Sequence, residues 1–217
     1  ELIREARGRV SKAFPANGEV IFNSGGTEGD NTAIFSTARK LRRRGNKIIT
    51  SQIEHPAVME TCRKLADEGF DVCYLDVDKV GAIKLESLED ALDDNVILVT
   101  LMTVNNETGM IQPVVPAYDI VKTYNKEHGT NIVFHTDAVQ AFGKMNLRNV
   151  PFDIITISGH KVHAPKGVGA MYMKSGLKLP TFIPGGGQES GYRSGTENTH
   201  GIAGLGLATE LAYDNLT

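Results

Sequence analysis

The sequence has few cysteines, no long apolar run and no excess of positive charge. Two cysteines, Cys62 and Cys73, are too few for a disulfide framework, which indicates a reducing, cytoplasmic compartment. No apolar run reaches the length of a membrane span and no signal-peptide pattern opens the chain, so we expect no membrane partner. The net charge of −3 argues against nucleic acid as a partner, and the basic run 42–44 fits a helix end, where cations stabilise the helix dipole.

The composition is that of an ordinary globular domain. The 217 residues are 41% hydrophobic and 23% charged, which is enough chain for one domain with a real core. The chain begins with Glu1 rather than methionine, already inside a helical pattern, so we expect an excised segment of a longer protein. No repeat, low-complexity tract or linker interrupts it, which favours a single domain over residues 1–217.

Helical and strand patterns alternate along the chain. Helices are predicted at 1–14, 28–44, 56–68, 86–93, 116–128 and 199–213. Short apolar or β-branched strands are predicted at 20–22, 47–50, 72–75, 96–102, 132–134, 154–157 and 170–173. This alternation is typical of βαβ units and predicts an α/β fold, a three-layer sandwich with a mainly parallel sheet.

The most informative stretch is Ser158-Gly159-His160-Lys161, where the chain leaves a predicted buried strand. Open α/β sheets bind ligands at the carboxyl ends of their strands, and a lysine there suits Schiff-base formation with a carbonyl cofactor. Taken alone, however, the lysine is better explained as a surface residue of a strand-to-loop turn.

Four further loops follow predicted strands and carry more polar residues than a turn requires. They cover residues 24–27, 54–56, 105–109 and 135–140. The glycines of the first loop precede a helix, where backbone can approach an anion closely, although a plain N-cap turn also explains them. Asp137 in the last loop is costly to bury unless it meets a cation or donors, such as the protonated ring nitrogen of a pyridine cofactor.

The remaining loops have simpler explanations as well. His55 is either a turn residue or an aromatic surface on which a planar ring stacks, and the asparagines of 105–109 are ordinary turn residues. A metal site is a further alternative, although the spacing of its ligands matches no familiar metal motif, and we expect none. Those ligands would be His135, Asp137, His160 and His163.

Taken together, the loops resemble the pyridoxal-phosphate enzymes of fold type I, in the class V aminotransferase group, and more narrowly the NifS-type cysteine desulfurases. The matching stretches run in the family's order across nearly the whole chain. One such stretch is weak evidence by itself, but six stretches in the same order are specific to the family. They are 24–31, 54–58, 104–109, 135–140, 158–161 and 193–198. The resemblance implies that residues 1–217 form the large, cofactor-binding domain of this fold.

The resemblance implies a role for each matching residue toward pyridoxal 5′-phosphate. Lys161 would bind it as a Schiff base and later move protons, while His55 would stack on its ring and shuttle a proton. Asp137 would pair with the ring nitrogen, and Gln140 would hydrogen-bond the phenolic oxygen. The phosphate would be held by Gly26, Thr27, Ser158 and His160.

The resemblance also implies partners. Asn106 would lie near the ring and the substrate carboxylate, and Thr196 would reach the phosphate bound to the other subunit of a homodimer. The substrate would be L-cysteine, which leaves as alanine after an enzyme thiolate takes its sulfur as a persulfide. An iron–sulfur scaffold or another sulfur acceptor protein would then receive that sulfur.

The chain departs from the family in two places. The persulfide cysteine and the arginine for the substrate carboxylate follow the last motif in the family, and this chain has neither. Cys62 in a predicted helix and Cys73 in a predicted strand are better explained as small core residues. We therefore expect a large domain truncated at both ends, without the C-terminal small domain, that cannot complete sulfur transfer alone. The alternatives are a selenocysteine lyase, an aminotransferase of the same class, or a non-catalytic cofactor-binding module.

Overall fold

The computed structural model, which describes residues 1–216, alternates strands and helices as the sequence predicts. The strands are β1 (Gly18–Asn23), β2 (Lys47–Ser51), β3 (Asp71–Leu75), β4 (Val96–Thr100), β5 (Val133–Asp137), β6 (Ile154–Ser158) and β7 (Gly169–Lys174). The α-helices are α1 (Leu2–Ser11), α2 (Gly26–Leu41), α3 (Pro56–Asp67), α4 (Leu85–Ala91), α5 (Val114–His128) and α6 (Thr199–Asp214). Short 3₁₀ turns cover Gly159–Lys161 and Glu189–Gly191.

The seven strands form one sheet in the order β1-β7-β6-β5-β4-β2-β3. The pairs from β6 to β3 are parallel, whereas β7 runs antiparallel to both β6 and β1. The mainly parallel α/β fold predicted from the sequence is therefore confirmed. The direction of β7 follows from its connection, because the short segment 159–168 contains only a 3₁₀ turn and no α-helix to carry the chain back across the sheet.

Helices cover both faces of the sheet, so the fold has three layers. The helices α1, α4, α5 and α6 pack on one face, and α2 and α3 pack on the other. Neighbouring strand residues point to opposite layers: Ile48 joins the α2 and α3 side, and Ile49 joins the other. Burial on both faces explains why the central strands are apolar without alternation. Within residues 1–216 no helix is both long and apolar enough to cross a membrane.

Helix α2 begins two residues earlier and ends three residues earlier than the pattern predicts. At its start, the Glu28 carboxylate accepts a hydrogen bond of 3.0 Å from the N–H of Ser24, the residue before the N-cap Gly25. Thr27 is therefore part of the first helical turn rather than of the preceding loop. The basic run 42–44 lies in the turn after the helix.

A buried ion pair fixes the 3₁₀ turn near residue 189 to the edge strand β1. The Arg7 guanidinium donates to both carboxylate oxygens of Glu189 at 2.7 Å, and Phe22 N–H donates to the same carboxylate at 2.8 Å. Glu189 and Ser190 have φ values of +48° and +57°, a left-handed conformation that is unfavourable for residues with a side chain. The ion pair stabilises a turn that the local sequence disfavours.

We expect Glu189→Ala to lower the free energy of unfolding by about 3 kcal/mol, because it removes the carboxylate partner of the partly buried Arg7 guanidinium and the acceptor of the buried Phe22 N–H. Urea unfolding followed by circular dichroism measures the change. The matched control is Glu210→Ala, which removes a half-exposed partner of Arg9 and should cost less than about 1 kcal/mol. Equal losses for the two variants would contradict this account.

Candidate functional site

The carboxyl ends of the central strands and the N-terminus of α2 surround a cavity of about 200 Å³. Nine of the ten residues predicted to bind a cofactor line it, and the exception is Thr196. The lining residues are Gly26, Thr27, His55, Met102, Val104, Asn106, Asp137, Val139, Gln140, Ser158, His160 and Lys161. The sequence predicts no role for Met102, Val104 and Val139, because apolar residues at strand ends give no signal that separates a cavity wall from the core.

Thr196 lies in a separate depression beside β1. Its neighbours there include Ser24, Arg193 and Glu197. Arg193 fixes this segment to the first turn of α2, because its guanidinium donates to the Glu28 carboxylate at 2.8 and 3.3 Å. The role given to Thr196 involves a second subunit, so it stays a prediction.

The α2 side of the cavity is suited to an anion. Gly25 has a φ of +145°, and a Cβ at Gly26 would lie 2.8 Å from Val139 Cγ2, so glycine at these positions lets the chain turn closely into the helix. The N–H groups of a first helical turn have no partners inside the helix, and the helix dipole attracts negative charge. Ser158 Oγ and His160 Nδ1 lie 2.9 Å apart at the same cavity and add a hydroxyl and an imidazole.

Lys161 is exposed at the end of the 3₁₀ turn that follows β6. This turn is tight, because Gly159 N–H donates to Val168 O at 2.9 Å and a Cβ at Gly159 would lie 3.0 Å from that oxygen. The turn places the lysine at the edge of the sheet, where its amine reaches the cavity. Burial, together with the charges of Lys161 and Lys166, lowers the pKa of His160 and favours its neutral imidazole.

Asp137 ends β5 and supplies the buried carboxyl group of the cavity. It is 6% exposed, and Val139 N–H donates to its Oδ1 at 2.9 Å. Burial raises the pKa of Asp137, while the Val139 N–H and the nearby His55 oppose that rise. No cationic side chain within residues 1–216 forms an ion pair with this carboxyl, so a positively charged N–H on a ligand would stabilise it.

His55 is the N-cap of α3. Its Nδ1 accepts a hydrogen bond of 3.1 Å from Ala57 N–H, so the ring proton of the neutral imidazole is on Nε2. This bond fixes the ring, which lines the cavity. His55 therefore has a structural role as a turn residue. This role leaves its Nε2 and its ring face available to a ligand.

The two asparagines of the 105–109 loop have different positions. Asn105 is buried, accepts hydrogen bonds from the N–H groups of Glu107 and Thr108 at 3.0 and 2.9 Å, and donates to Ile53 O at 3.0 Å. It organises the loop and ties it to the segment that carries His55. Asn106 is exposed and lines the cavity.

The candidate ligands of the metal alternative include His135, which lies inside the sheet layer. Within residues 1–216 no group of three or more histidine, cysteine, aspartate or glutamate side chains is arranged to bind a metal ion. His135 is fully buried, and its Nδ1 and Nε2 contact the hydroxyls of Thr100 and Thr156 at 2.8 and 2.9 Å. Burial lowers the pKa of His135 to about 3, so it stays neutral inside the sheet layer.

Neither cysteine lines the cavity. Cys62 lies on the inner side of α3 and is fully buried, and burial raises the pKa of its thiol to about 12. Cys73 lies half-buried in β3, where burial also raises the pKa of the thiol. Both side chains pack in the apolar layers, as the sequence predicts. Thiols with raised pKa values are poor nucleophiles at neutral pH.

Two buried carboxyl groups next to the cavity lie in matching stretches of the sequence, which predicts neither a role nor burial for them. Glu54 Oε1 accepts hydrogen bonds from Ser51 Oγ at 2.6 Å and Met102 N–H at 3.0 Å, and burial raises the pKa of Glu54 to about 8. Asp30 is fully buried with Oδ1 3.6 Å from His135 Nε2, and burial together with the charge of Asp137 raises its pKa. Asp30 and Glu54 are buried by contacts between segments that are far apart in the sequence. No local sequence pattern predicts such contacts.

We expect Glu54→Gln to flatten the pH dependence of stability. The pKa of Glu54 is higher in the folded chain than the ordinary value of 4.5, so ionisation opposes folding and stability falls as pH rises from about 4.5 to about 8. The amide keeps the acceptor for Ser51 and Met102 but cannot ionise. Above pH 8 the variant should therefore exceed the wild type by an amount on the order of 4 kcal/mol.

Thermal unfolding between pH 5 and pH 9 measures this difference. The exposed Glu60, on the outer side of α3, provides the control variant Glu60→Gln, which should follow the wild-type curve. Parallel pH profiles for the wild type and Glu54→Gln would show that Glu54 is not a buried neutral acid.

Comparison with known proteins gives a consistent result. The sequence profile described as aminotransferase class V matches residues 1–216. A protein described as cysteine desulfurase IscS, from Clostridium botulinum (strain Hall), is 47% identical over 214 residues, which cover 97% of this chain and 52% of that relative. The chain thus spans about half the length of the curated relatives it matches.

Solved structures give the same picture. A structure described as a NifS-like protein superposes with a TM-score of 0.92 at 41% identity. The superposition covers 98% of this chain and 58% of the chain in that structure. One described as SspA in complex with cysteine superposes with a TM-score of 0.87 at 38% identity, over 96% of this chain and 60% of its own.

Proposed function

Because this chain belongs to the aminotransferase class V family, we propose that it is the cofactor-binding large domain of a pyridoxal phosphate-dependent cysteine desulfurase. Membership confirms the resemblance drawn from the six sequence stretches, and enzymes of this family depend on pyridoxal phosphate. The observation that carries the proposal is one cavity in which Lys161, Asp137 and the N-terminus of α2 meet. An amine, a buried carboxyl and an anion-binding helix end match the aldehyde, ring nitrogen and phosphate of that cofactor.

The chemistry of the residues fits the cofactor at each end. Asp137 is buried, its Oδ1 accepts from Val139 N–H, and no side chain in residues 1–216 forms an ion pair with it, so a protonated pyridine N–H would supply a charged donor to this carboxyl. At the opposite end, the first turn of α2 offers N–H groups at Gly26 and Thr27, and the hydrogen-bonded pair of Ser158 and His160 adds a side-chain donor. We assign the phosphate to these four residues.

When bound, pyridoxal phosphate withdraws electrons from the substrate carbon that carries the amino group, so that a proton there can be removed. In this proposal Lys161 holds the cofactor through its amine and, once displaced by the substrate, moves that proton. His55 stacks against the ring, and its Nε2–H is available as a hydrogen-bond donor to the ligand because Nδ1 accepts from Ala57 N–H. Passing a proton at Nε2, the second role proposed for His55, starts from the imidazolium form of the ring. Gln140 and Asn106 orient the phenolic oxygen and the substrate carboxylate.

The remaining steps are assigned to the whole protein. The substrate in this proposal is L-cysteine, and the sulfur passes to an enzyme thiolate and then to an iron–sulfur scaffold or another acceptor protein. We assign that thiolate to a segment outside this chain, because Cys62 and Cys73 pack in the apolar layers away from the cavity. The proposal includes a cytoplasmic homodimer, in which Thr196 reaches the phosphate of the partner, and a small domain that completes the substrate site.

We expect the chain to develop a visible absorption band on addition of pyridoxal phosphate, and Lys161→Ala to abolish it, because the covalent link requires this amine. Borohydride reduction followed by peptide mass spectrometry locates the modified lysine. The control is Lys166→Ala, five residues further along the same loop, which should keep the band. A band that survives Lys161→Ala would contradict the proposal.

Asp137→Asn should change stability and cofactor binding in opposite directions. Asparagine keeps an acceptor for Val139 N–H but avoids a buried charge, and the raised pKa of Asp137 means that ionisation opposes folding as pH rises above the ordinary value of 3.8. The cofactor-free variant should therefore unfold at a higher temperature at pH 7. It should also bind pyridoxal phosphate about tenfold more weakly, because a charge-assisted hydrogen bond is lost.

Calorimetry of the cofactor-free protein and titration with pyridoxal phosphate measure the two effects. A variant that loses stability and binding together would indicate a purely structural role for Asp137.

The reaction itself requires the full-length protein. Release of alanine and sulfide from L-cysteine, without any dependence on a keto acid, is the expected result. Amino transfer to a keto acid without sulfide would instead identify an aminotransferase of the same class. Faster turnover of selenocysteine than of cysteine would identify a selenocysteine lyase.

A further inference from the structure

We propose that Lys144 is a positioning residue that orients the side-chain amide of Gln140 with its NH₂ group toward the cofactor. This inference rests on the proposed function and adds to it a residue outside the six matching stretches. Lys144 does not line the cavity and is exposed, so neither its position in the sequence nor its burial draws attention to it.

The turn after β5 places the two side chains together. Ala138, Ala141 and Phe142 are fully buried, and Phe142 N–H donates to Ala138 O at 2.8 Å, a helical type of hydrogen bond. Residues four apart in such a turn are neighbours on its surface, which is the relation between Gln140 and Lys144. The buried residues anchor the turn, so this neighbour relation does not depend on a mobile loop.

Two hydrogen bonds join the side chains. Lys144 Nζ donates to the backbone oxygen of Gln140 at 3.0 Å and to its side-chain Oε1 at 3.3 Å. An ammonium group has donors and no acceptor, so the amide atom that faces it has to be the oxygen. Because the amide is planar, its NH₂ group points away from Lys144.

The orientation decides which ligand atom Gln140 can recognise. Gln140 lines the cavity, so an amide with its oxygen held by Lys144 offers the cavity a donor. A donor suits an acceptor oxygen on the ring, such as the phenolic oxygen that we assign to Gln140. Without Lys144 the amide could rotate by half a turn and present its carbonyl oxygen, which repels an acceptor.

Lys144 could also act through its charge alone. Burial, and then the charge of Lys161, lower the pKa of Lys144, so the two lysines are electrostatic neighbours at one side of the cavity. A direct effect of this charge on the cofactor would not need Gln140. The two explanations therefore differ in whether the effect of Lys144 survives removal of the amide.

A double-mutant cycle separates them. Pyridoxal phosphate is titrated into the wild-type chain, Lys144→Met, Gln140→Ala and the double variant, and the absorption spectrum of each complex is recorded across pH. We expect Lys144→Met to weaken binding about three- to tenfold and to shift the absorption band, with no further change when Gln140 is already alanine. Lys144→Arg, which keeps the donors, should retain most of the binding, and Lys126→Met on α5 is the control that should match the wild type.

A second measurement needs no cofactor. The side-chain NH₂ resonances of Gln140, identified by their loss in Gln140→Ala, should shift in Lys144→Met but not in Lys126→Met, because only the first frees the amide. Unchanged resonances and unchanged binding in Lys144→Met would overturn the inference. It would also be overturned if Lys144→Met still weakened pyridoxal phosphate binding when Gln140 is already alanine. A wild-type chain that binds no pyridoxal phosphate would overturn the proposed function, whereas the amide resonances test the orientation independently of it.

Discussion

The site depends on how closely α2 approaches the sheet. A Cβ at Gly29 would lie 2.5 Å from Thr156 Cγ2, and one at Gly169 would lie 2.7 Å from Gly25 Cα, so the helix and the turn before it rest directly on β6 and β7. This close approach places the positive end of α2 beside Ser158, and it places Asp30 Oδ1 3.6 Å from His135 Nε2. Larger side chains at these glycines would lift the helix and open the anion-binding end of the cavity.

The same close packing buries several carboxyl groups near one another. Burial favours their neutral forms, which avoids repulsion between negative charges. Asp30, Glu54 and Asp137 are all buried and influence one another, and burial raises the pKa of each. Of the three, Asp137 lines the cavity and has a nearby histidine to favour its charge. Neutral Asp30 and Glu54 therefore do not repel a negative charge on Asp137, which lies where a cationic ring nitrogen would bind.

Much of this arrangement follows from local sequence patterns, and the rest does not. Continuous β-branched runs reveal buried strands, and polar loops after them reveal the cavity edge, because side chains at parallel strand ends share one edge of the sheet. Such patterns do not predict the burial of Glu54. Its carboxylate lies just after β2 and accepts a hydrogen bond from Met102 N–H, 48 positions away just after β4. The orientation of β7 and the contact of Lys144 with Gln140 likewise depend on packing rather than on composition.

The ion pair between Arg7 and Glu189 has a consequence for the order in which contacts form during folding. Its partners are 182 positions apart, and the same N-terminal helix packs against α6, where a Cβ at Gly206 would lie 2.8 Å from Ala6 Cα. The contacts of α1 with α6 and with Glu189 close loops that span most of the chain, so their formation costs more chain entropy than that of the local contacts of α1 with β1. Contacts of this kind form late in folding, and they stabilise the folded chain chiefly by slowing its unfolding.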